Sequence, residues 1–252
     1  MQHPVVSRED WLVARKTHLA REKEFTRQRD VLSAERRALP WVRIEKDYAF
    51  QGPDGRLSLA DLFGANSQLL IYHFMFAPGW SEGCEGCSFL ADHFDGANLH
   101  LKHHDVSLVA VSRAPYAEFQ PFRKRMGWAF DWVSSAGSDF NSDFRVTPSE
   151  AERSAGRYEY NYAMHDGEGG EMPGFSVFQR DETGAIFHTY SSYGRGCDLL
   201  VGTYNFLDMM PKGRNETAIM NWMRHHDRYD VAALATAAPA TLPLTAVASC
   251  CG

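Results

Sequence analysis

The residues Gln68 to Phe76, QLLIYHFMF, form a near-continuous apolar and aromatic run of strand length. Such a run suits a strand buried on both faces of a sheet rather than one that alternates between core and water. Its end opens through Ala77-Pro78-Gly79-Trp80 into Cys84-Glu85-Gly86-Cys87, after which Phe89, Leu90, Phe94, Leu99 and Leu101 recur at roughly helical spacing as far as His104. Val106 to Ser112, VSLVAVS, then reads as a second buried strand. Two such strands joined by a helix form a β-α-β unit with a right-handed crossover. The chain is thereby constrained to an α/β architecture with a close pair of cysteines at a strand-to-helix junction.

The flanking segments fit this centre. Ser7 with Asp10 three residues later predicts a capped helix start, and the charged stretch to Leu39 carries Trp11, Leu12, Leu19, Phe25 and Leu32 before Pro40 ends it. This is an N-terminal arm for packing or dimerisation, placed at residues 1–46. Tyr48 to Phe50 and the turn Gly52-Pro53-Asp54-Gly55 predict an edge hairpin, with a short helical segment over Leu57 to Phe63. Pro115 to Met126 reads as a helix, and residues 128–144 as an aromatic, turn-rich stretch. Residues 147–171 are polar and rich in glycine, an insertion over the surface. Gly174 to Phe178 and Ala185 to Tyr190 form a hairpin joined by Asp181-Glu182-Thr183-Gly184, and Leu199 to Met209 and Glu216 to Asp230 look helical. The main domain is thus residues 47–231. Residues 232–252 are a tail of small residues ending in Cys250-Cys251-Gly252.

Composition excludes several classes. The formal net charge of -6 over 252 residues leaves no basic surface of the kind that tracks a phosphate backbone, so nucleic acid is not an expected partner. No apolar run approaches the length of a membrane span, and Met1 to Lys16 has no apolar core of a secretion signal. A cytoplasmic protein is expected. Five cysteines, an odd number unevenly spread, do not make a secreted disulfide framework, and in a reducing compartment a close pair is more often catalytic, redox-active or metal-binding.

Two residues between Cys84 and Cys87 let the thiols meet without long-range rearrangement. Backbone N–H groups at a helix start favour a thiolate, and the first cysteine of the pair is normally the more exposed. Cys84 is therefore the expected nucleophile and Cys87 the resolving thiol. The Glu85 carboxylate should raise the Cys84 pKa relative to a neutral spacer and favour a reducing couple. A zinc half-site and an inert pair are the competing readings. No second C-x-x-C or paired-histidine spacing completes a zinc motif.

The segments YHFMFAPGWSEGCEGCSFLADHF, VSRAP, RMGW, SSAGSDFNSDF, PGFSVF and FHTYS resemble the DUF899 family of bacterial proteins over nearly all of residues 5 to 230. The resemblance implies a thioredoxin-like fold, a central mixed sheet of four or five strands flanked by helices, and a predicted dithiol-disulfide oxidoreductase activity needing no cofactor. The family usually carries a Pro-Ser type spacer, from which Glu85-Gly86 departs. In such a fold Met172-Pro173 stands where a cis-proline packs against the active cysteine and offers its backbone to substrate, so Pro173 is a candidate substrate-binding residue, with Trp80 before the pair. The layout after the second strand also resembles peroxiredoxins. Ser81 lies three residues before Cys84, but Pro78 is one residue too close for their peroxide loop. A thiol peroxidase is the alternative activity, with Arg113 polarising the peroxide.

Among the eleven histidines, His73 and His188 lie in predicted strands. Beside Cys84 and Cys87 they would suit copper or zinc, against the commoner reading of satisfied core histidines. The vicinal Cys250 and Cys251 end a linker whose r.m.s. reach is about 23 Å. A thiol or soft-metal relay to the Cys84 pair stands there against incidental cysteines. The expected partners are a thiol or disulfide substrate, an unidentified reductant and, in a homodimer, a second copy of the chain.

Overall fold

The computed structural model describes residues 3–229. Its first element is α1 (Arg8–Arg37), whose cap is the expected one: the Ser7 hydroxyl accepts from the Asp10 amide. Acidic Glu9 and Asp10 sit in the first turn and basic Arg36 and Arg37 in the last, each complementing the helix dipole. The helix buries no residue against the rest of the described chain, and Arg36 over the Tyr190 ring is its one cation-π contact there.

The chain then runs through β1 (Val42–Arg43), the hairpin β2 (Ala49–Gly52) and β3 (Gly55–Ser58), and β4 (Gln68–His73). Next come α2 (Glu85–Ala91), α3 (Phe94–His103), β5 (Val106–Ser112), α4 (Tyr116–Arg125), β6 (Asp131–Ser134) and α5 (Phe140–Asp143). The insertion holds α6 (Glu150–Ala155) and a small separate hairpin, β7 (Arg157–Tyr160) with β8 (Ala163–Asp166). The chain closes with β9 (Gly174–Arg180), β10 (Ile186–Tyr193), a 3-10 turn at Gly194–Leu200 and α7 (Gly202–Leu207).

One eight-stranded sheet runs in the order β1-β10-β9-β4-β5-β6-β2-β3. At its centre β4 pairs parallel with β5 and antiparallel with β9, and β9 pairs antiparallel with β10. This β-α-β unit followed by a hairpin is the core of a thioredoxin-like fold. The sheet is larger than the four or five strands expected. The Asp131–Ser134 segment, within the stretch expected to be aromatic and turn-rich, adds a third parallel strand beside β5, and both edges are extended by short pairings.

Strand alternation divides the core into two layers. On one face lie Tyr72, Phe74, Leu108, Ala110, Trp132 and Phe175 beneath α2, α3 and α4. On the other lie Leu69, Ile71, Val109, Val111, Val133 and Phe178, covered by Phe63 and by Phe140 of α5. Trp132 stacks on Phe119 of α4 at a centroid distance of 4.6 Å, a contact contributing about 0.5–1.5 kcal/mol beyond the area it buries.

Two helical expectations are corrected. The stretch from Ser88 to His104 is two helices, broken at Asp92 and His93; the His93 ring turns away to accept from the Thr203 amide at 3.0 Å. Glu216 to Asp230 is not a helix over its described part. Asn215 and Met220 take φ values of 50° and 62°, outside the helical region, and a 3-10 turn at His226–Arg228 is its one regular element. Among the described residues no helix is long and apolar enough to cross a membrane.

Candidate functional site

Cys84 stands at the N-cap of α2 and Cys87 in its first turn. The loop that follows β4 brings them back over the end of that strand, where Met75 holds both. Its carbonyl accepts from the Cys84 amide at 3.3 Å, and its own N–H donates to Cys87 Sγ at 3.4 Å. Below them Tyr72, fully buried on the same face of β4, donates its phenolic hydrogen to Cys87.

The two thiols are free and chemically unequal. Cys84 is lowered to about 6, first because the Cys87 thiol donates to it and then because the Cys87 and Gly86 amides point at its sulfur. Burial opposes this, as does the charge of Glu85, which acts in the expected direction but is outweighed. Cys87 is held well above an ordinary thiol by its burial and by the charge of its neighbour. α2 has seven residues, so individual amides rather than a long helix dipole account for the stabilisation.

The pair opens on a cavity of about 210 Å³. Its lining is mostly apolar, with Tyr72, Leu90, Val201, Ile219 and Met220, and includes the charged Arg195 and Asp198. Pro173 lines it, as does a third thiol, Cys197, which burial and then Asp198 push up to about 12. The Pro173 carbonyl accepts from Tyr160 Oη at 2.8 Å, and the same hydroxyl accepts from the Gly194 amide at 2.8 Å. A side chain of the insertion thus ties together two segments of the cavity wall.

Several expectations meet a different geometry. No cis peptide occurs among the described residues, so the Met172-Pro173 bond is trans; the Met172 amide donates to the Val146 carbonyl and the Tyr160 hydroxyl holds Pro173, which fixes this loop. Trp80 is partly exposed, packs near Phe76 and does not line the cavity. Arg113 is not at the cavity either. Its guanidinium donates to Glu171 at 2.7 Å, a carboxylate with a side chain only 4% exposed that also accepts from Thr147.

His73 and His188 do not converge on the cysteines. His73 follows Tyr72 in β4 and so faces the opposite layer, against Phe140 and Phe144. There it joins a polar chain in which His73 Nε2 bonds Ser176 at 2.8 Å, Ser176 bonds Ser191 at 2.9 Å and Ser191 bonds His188 at 2.8 Å. No group of three or more His, Cys, Asp or Glu side chains among the described residues is arranged to hold a metal ion. Cys250 and Cys251 lie outside the described residues.

Reading along the sequence missed Tyr72, Tyr160, Cys197 and Met220. Only Tyr72 left a usable signal, since alternation along β4 places it on the face opposite His73. The others arrive from distant segments.

The family model described as "Bacterial protein of unknown function (DUF899)" matches residues 1–229. No curated protein matches the chain. Among solved structures, the chain is similar to a peroxidoxin, BcpB, from Mycobacterium tuberculosis at 13% identity and a TM-score of 0.40, covering 66% of this chain and 95% of that one. It is similar to a putative protein disulfide isomerase from Bacteroides thetaiotaomicron at 16% identity and a TM-score of 0.36, covering 71% and 94%. A thiol:disulfide interchange protein from Bacteroides sp. aligns at 13% identity with a TM-score of 0.40, covering 70% and 95%.

Proposed function

We propose that the chain, which belongs to the DUF899 family, is a dithiol-disulfide oxidoreductase in which Cys84 attacks and Cys87 resolves. The observation that carries this reading is the hydrogen-bonded thiol pair itself, with Cys84 lowered to about 6 and Cys87 raised. At neutral pH the first sulfur is a thiolate ready to attack, and the second keeps its proton until the mixed disulfide removes the Cys84 charge.

The Cys84 thiolate attacks one sulfur of a substrate disulfide, forms a mixed disulfide and expels the other half as a thiolate. Loss of the negative charge on Cys84 removes the charge repulsion that raises Cys87. Cys87 passes its proton to the departing thiolate and attacks Cys84 Sγ, expelling the second half. The pair gives up two electrons and ends as a disulfide, while the substrate leaves as one thiol and one thiolate, the latter taking its proton from water. An external dithiol restores the pair. Tyr72 and the Met75 amide, both donating to Cys87, favour its thiolate at the resolving step.

The peroxidase reading loses the guanidinium expected for it, because Arg113 is committed to Glu171 away from the cavity. For copper or zinc, no group of three or more His, Cys, Asp or Glu side chains among the described residues completes a site around Cys84 and Cys87.

The test is an equilibrium titration of the metal-free protein against dithiothreitol, read by mass after alkylation. A reversible two-electron couple confined to Cys84 and Cys87 supports exchange. Absence of the intramolecular disulfide across the accessible range defeats it.

A further inference from the structure

The residues after α7 form a strap across the cysteine helix. His225 is buried, and its Nε2–H donates to the Gly83 carbonyl at 2.9 Å, one residue before Cys84, while Arg125 donates to its Nδ1 at 3.0 Å. Arg125 also pairs with Asp227 at 2.8 Å and with Glu82, to which Arg228 is bound as well. His226 pairs with Asp92 at the far end of α2 at 2.6 Å. The strap is therefore anchored at both ends of α2. Just before these anchors in the chain, Met223 is buried and Met220 crosses the first turn: a β-carbon on Gly86 would stand 3.2 Å from Met220 Sδ.

This arrangement restricts what can reach Cys84. A folded protein presenting a disulfide needs an open face around the attacking sulfur, and here Ile219 and Met220 form one wall of the cavity before it. A volume of about 210 Å³ is below the usual ligand-pocket range of about 300–1,000 Å³. Charge narrows the choice further. Arg195 also lines the cavity, but it belongs to a balanced cluster in which Asp198 accepts from Arg195 at 3.2 Å and from Arg214 at 3.0 Å, and Arg214 also pairs with Asp208 at 2.8 Å, so the wall carries no net positive charge for an anionic substrate. Glu85, exposed beside Cys84, repels one.

We propose that the substrate of the Cys84–Cys87 pair is a small, uncharged, apolar disulfide that enters this cavity, and not a protein disulfide or a polyanionic one. The inference rests on the exchange reading above and assigns its substrate class. The cavity supplies apolar contact to both halves of the substrate, and the strap excludes larger molecules. Discrimination by such a pocket is typically about tenfold or more per misfitting group.

The pre-reduced full chain is mixed separately with diethyl disulfide, glutathione disulfide and insulin, and formation of the Cys84–Cys87 disulfide is followed by mass after rapid alkylation. Each rate is divided by that of dithiothreitol with the same oxidant, which removes intrinsic reactivity. The expected result is a normalised rate for diethyl disulfide at least about tenfold above the other two. Met220→Ala is expected to shrink that ratio several-fold while the redox midpoint of the pair stays in place. Equal rates, or faster reaction with insulin or glutathione disulfide, overturn the substrate class and leave exchange standing. A pair that none of the three oxidises overturns exchange itself, and the substrate class with it.

Discussion

Met220 Sδ lies 3.2 Å from the point where a β-carbon on Gly86 would stand, so the strap packs directly over the glycine between the two cysteines. Two effects then oppose each other in Gly86→Ala. Alanine gains about 1 kcal/mol of helix propensity over glycine, and the thioether must shift by a few tenths of an ångström, which a flexible methionine tolerates. Stability is expected to change by less than about 1 kcal/mol in either direction. Access should suffer more: alkylation of Cys84 by a bulky maleimide slows relative to iodoacetamide, measured side by side at one pH. An unchanged ratio would place the strap clear of the path to Cys84.

The ionisation of Cys84 should follow its neighbours Cys87 and Glu85 in opposite directions. Its alkylation rate is expected to titrate with a midpoint near 6. Cys87→Ala removes the thiol that donates to the thiolate, the largest cause of the shift, and should raise the midpoint toward the ordinary 9.0. Glu85→Gln removes an opposing charge and should lower it. Because the folded value is depressed, the associated stability is fully present above the unfolded value and is lost as pH falls toward about 6. Denaturant melts of wild type and Cys84→Ala between those limits should therefore differ in slope. Parallel slopes would contradict the depressed value.

Tyr72→Phe separates attack from resolution. The phenol donates to Cys87, so its loss makes the Cys87 thiolate harder to form and leaves the Cys84 thiolate nearly unaffected. First-step alkylation should be unchanged, while the mixed disulfide with a substrate thiol persists several-fold longer in quenched mass spectra. Loss of this bond should cost about 1 kcal/mol of stability. Unaltered decay of the mixed disulfide would remove Tyr72 from the mechanism.

His73 is expected to make the protein acid-sensitive. It is 1% exposed and lowered to about 3, by burial first and the nearby His188 second, so it folds as a neutral ring. In the unfolded chain it protonates below about 6.5. Stability is thus expected to fall as pH drops from there toward 3, by up to about 1.4 kcal/mol per unit. In His73→Phe the slope should shrink, though His188, lowered by its own burial, retains part of it. Urea melts at pH 4.5 and 7 give the comparison, and an undiminished slope would assign the sensitivity elsewhere.

Arg113 tests the boundary between exchange and peroxide chemistry. Removing it leaves the Glu171 carboxylate buried without its guanidinium, a change that typically costs about 3–5 kcal/mol. Arg113→Ala should therefore lower the denaturation midpoint while the Cys84 alkylation midpoint holds. A loss of Cys84 reactivity toward hydrogen peroxide with unchanged stability would revive the peroxidase reading.

The linear order of residues by itself determined the centre of this protein. The apolar runs of β4 and β5, the turn chemistry before β3 and β10, and the placement of Cys84 and Cys87 at the head of a helix are all local, since hydrophobic period and cap or turn residues act over a few positions. What remained illegible depended on contacts between distant segments. The Asp131–Ser134 strand exists because β5 offers it an edge, and residues 216–225 are held non-helical by Met223, His225 and their partners around Gly83 and Gly86. Whether His73 met a thiol or a serine was decided by which face of β4 each residue took once the sheet closed. Cys197 and Met220 came to line one cavity, and Tyr160 to brace its wall, only through packing, because burial and through-space hydrogen bonds, unlike period and cap, leave no mark in the spacing of a single chain.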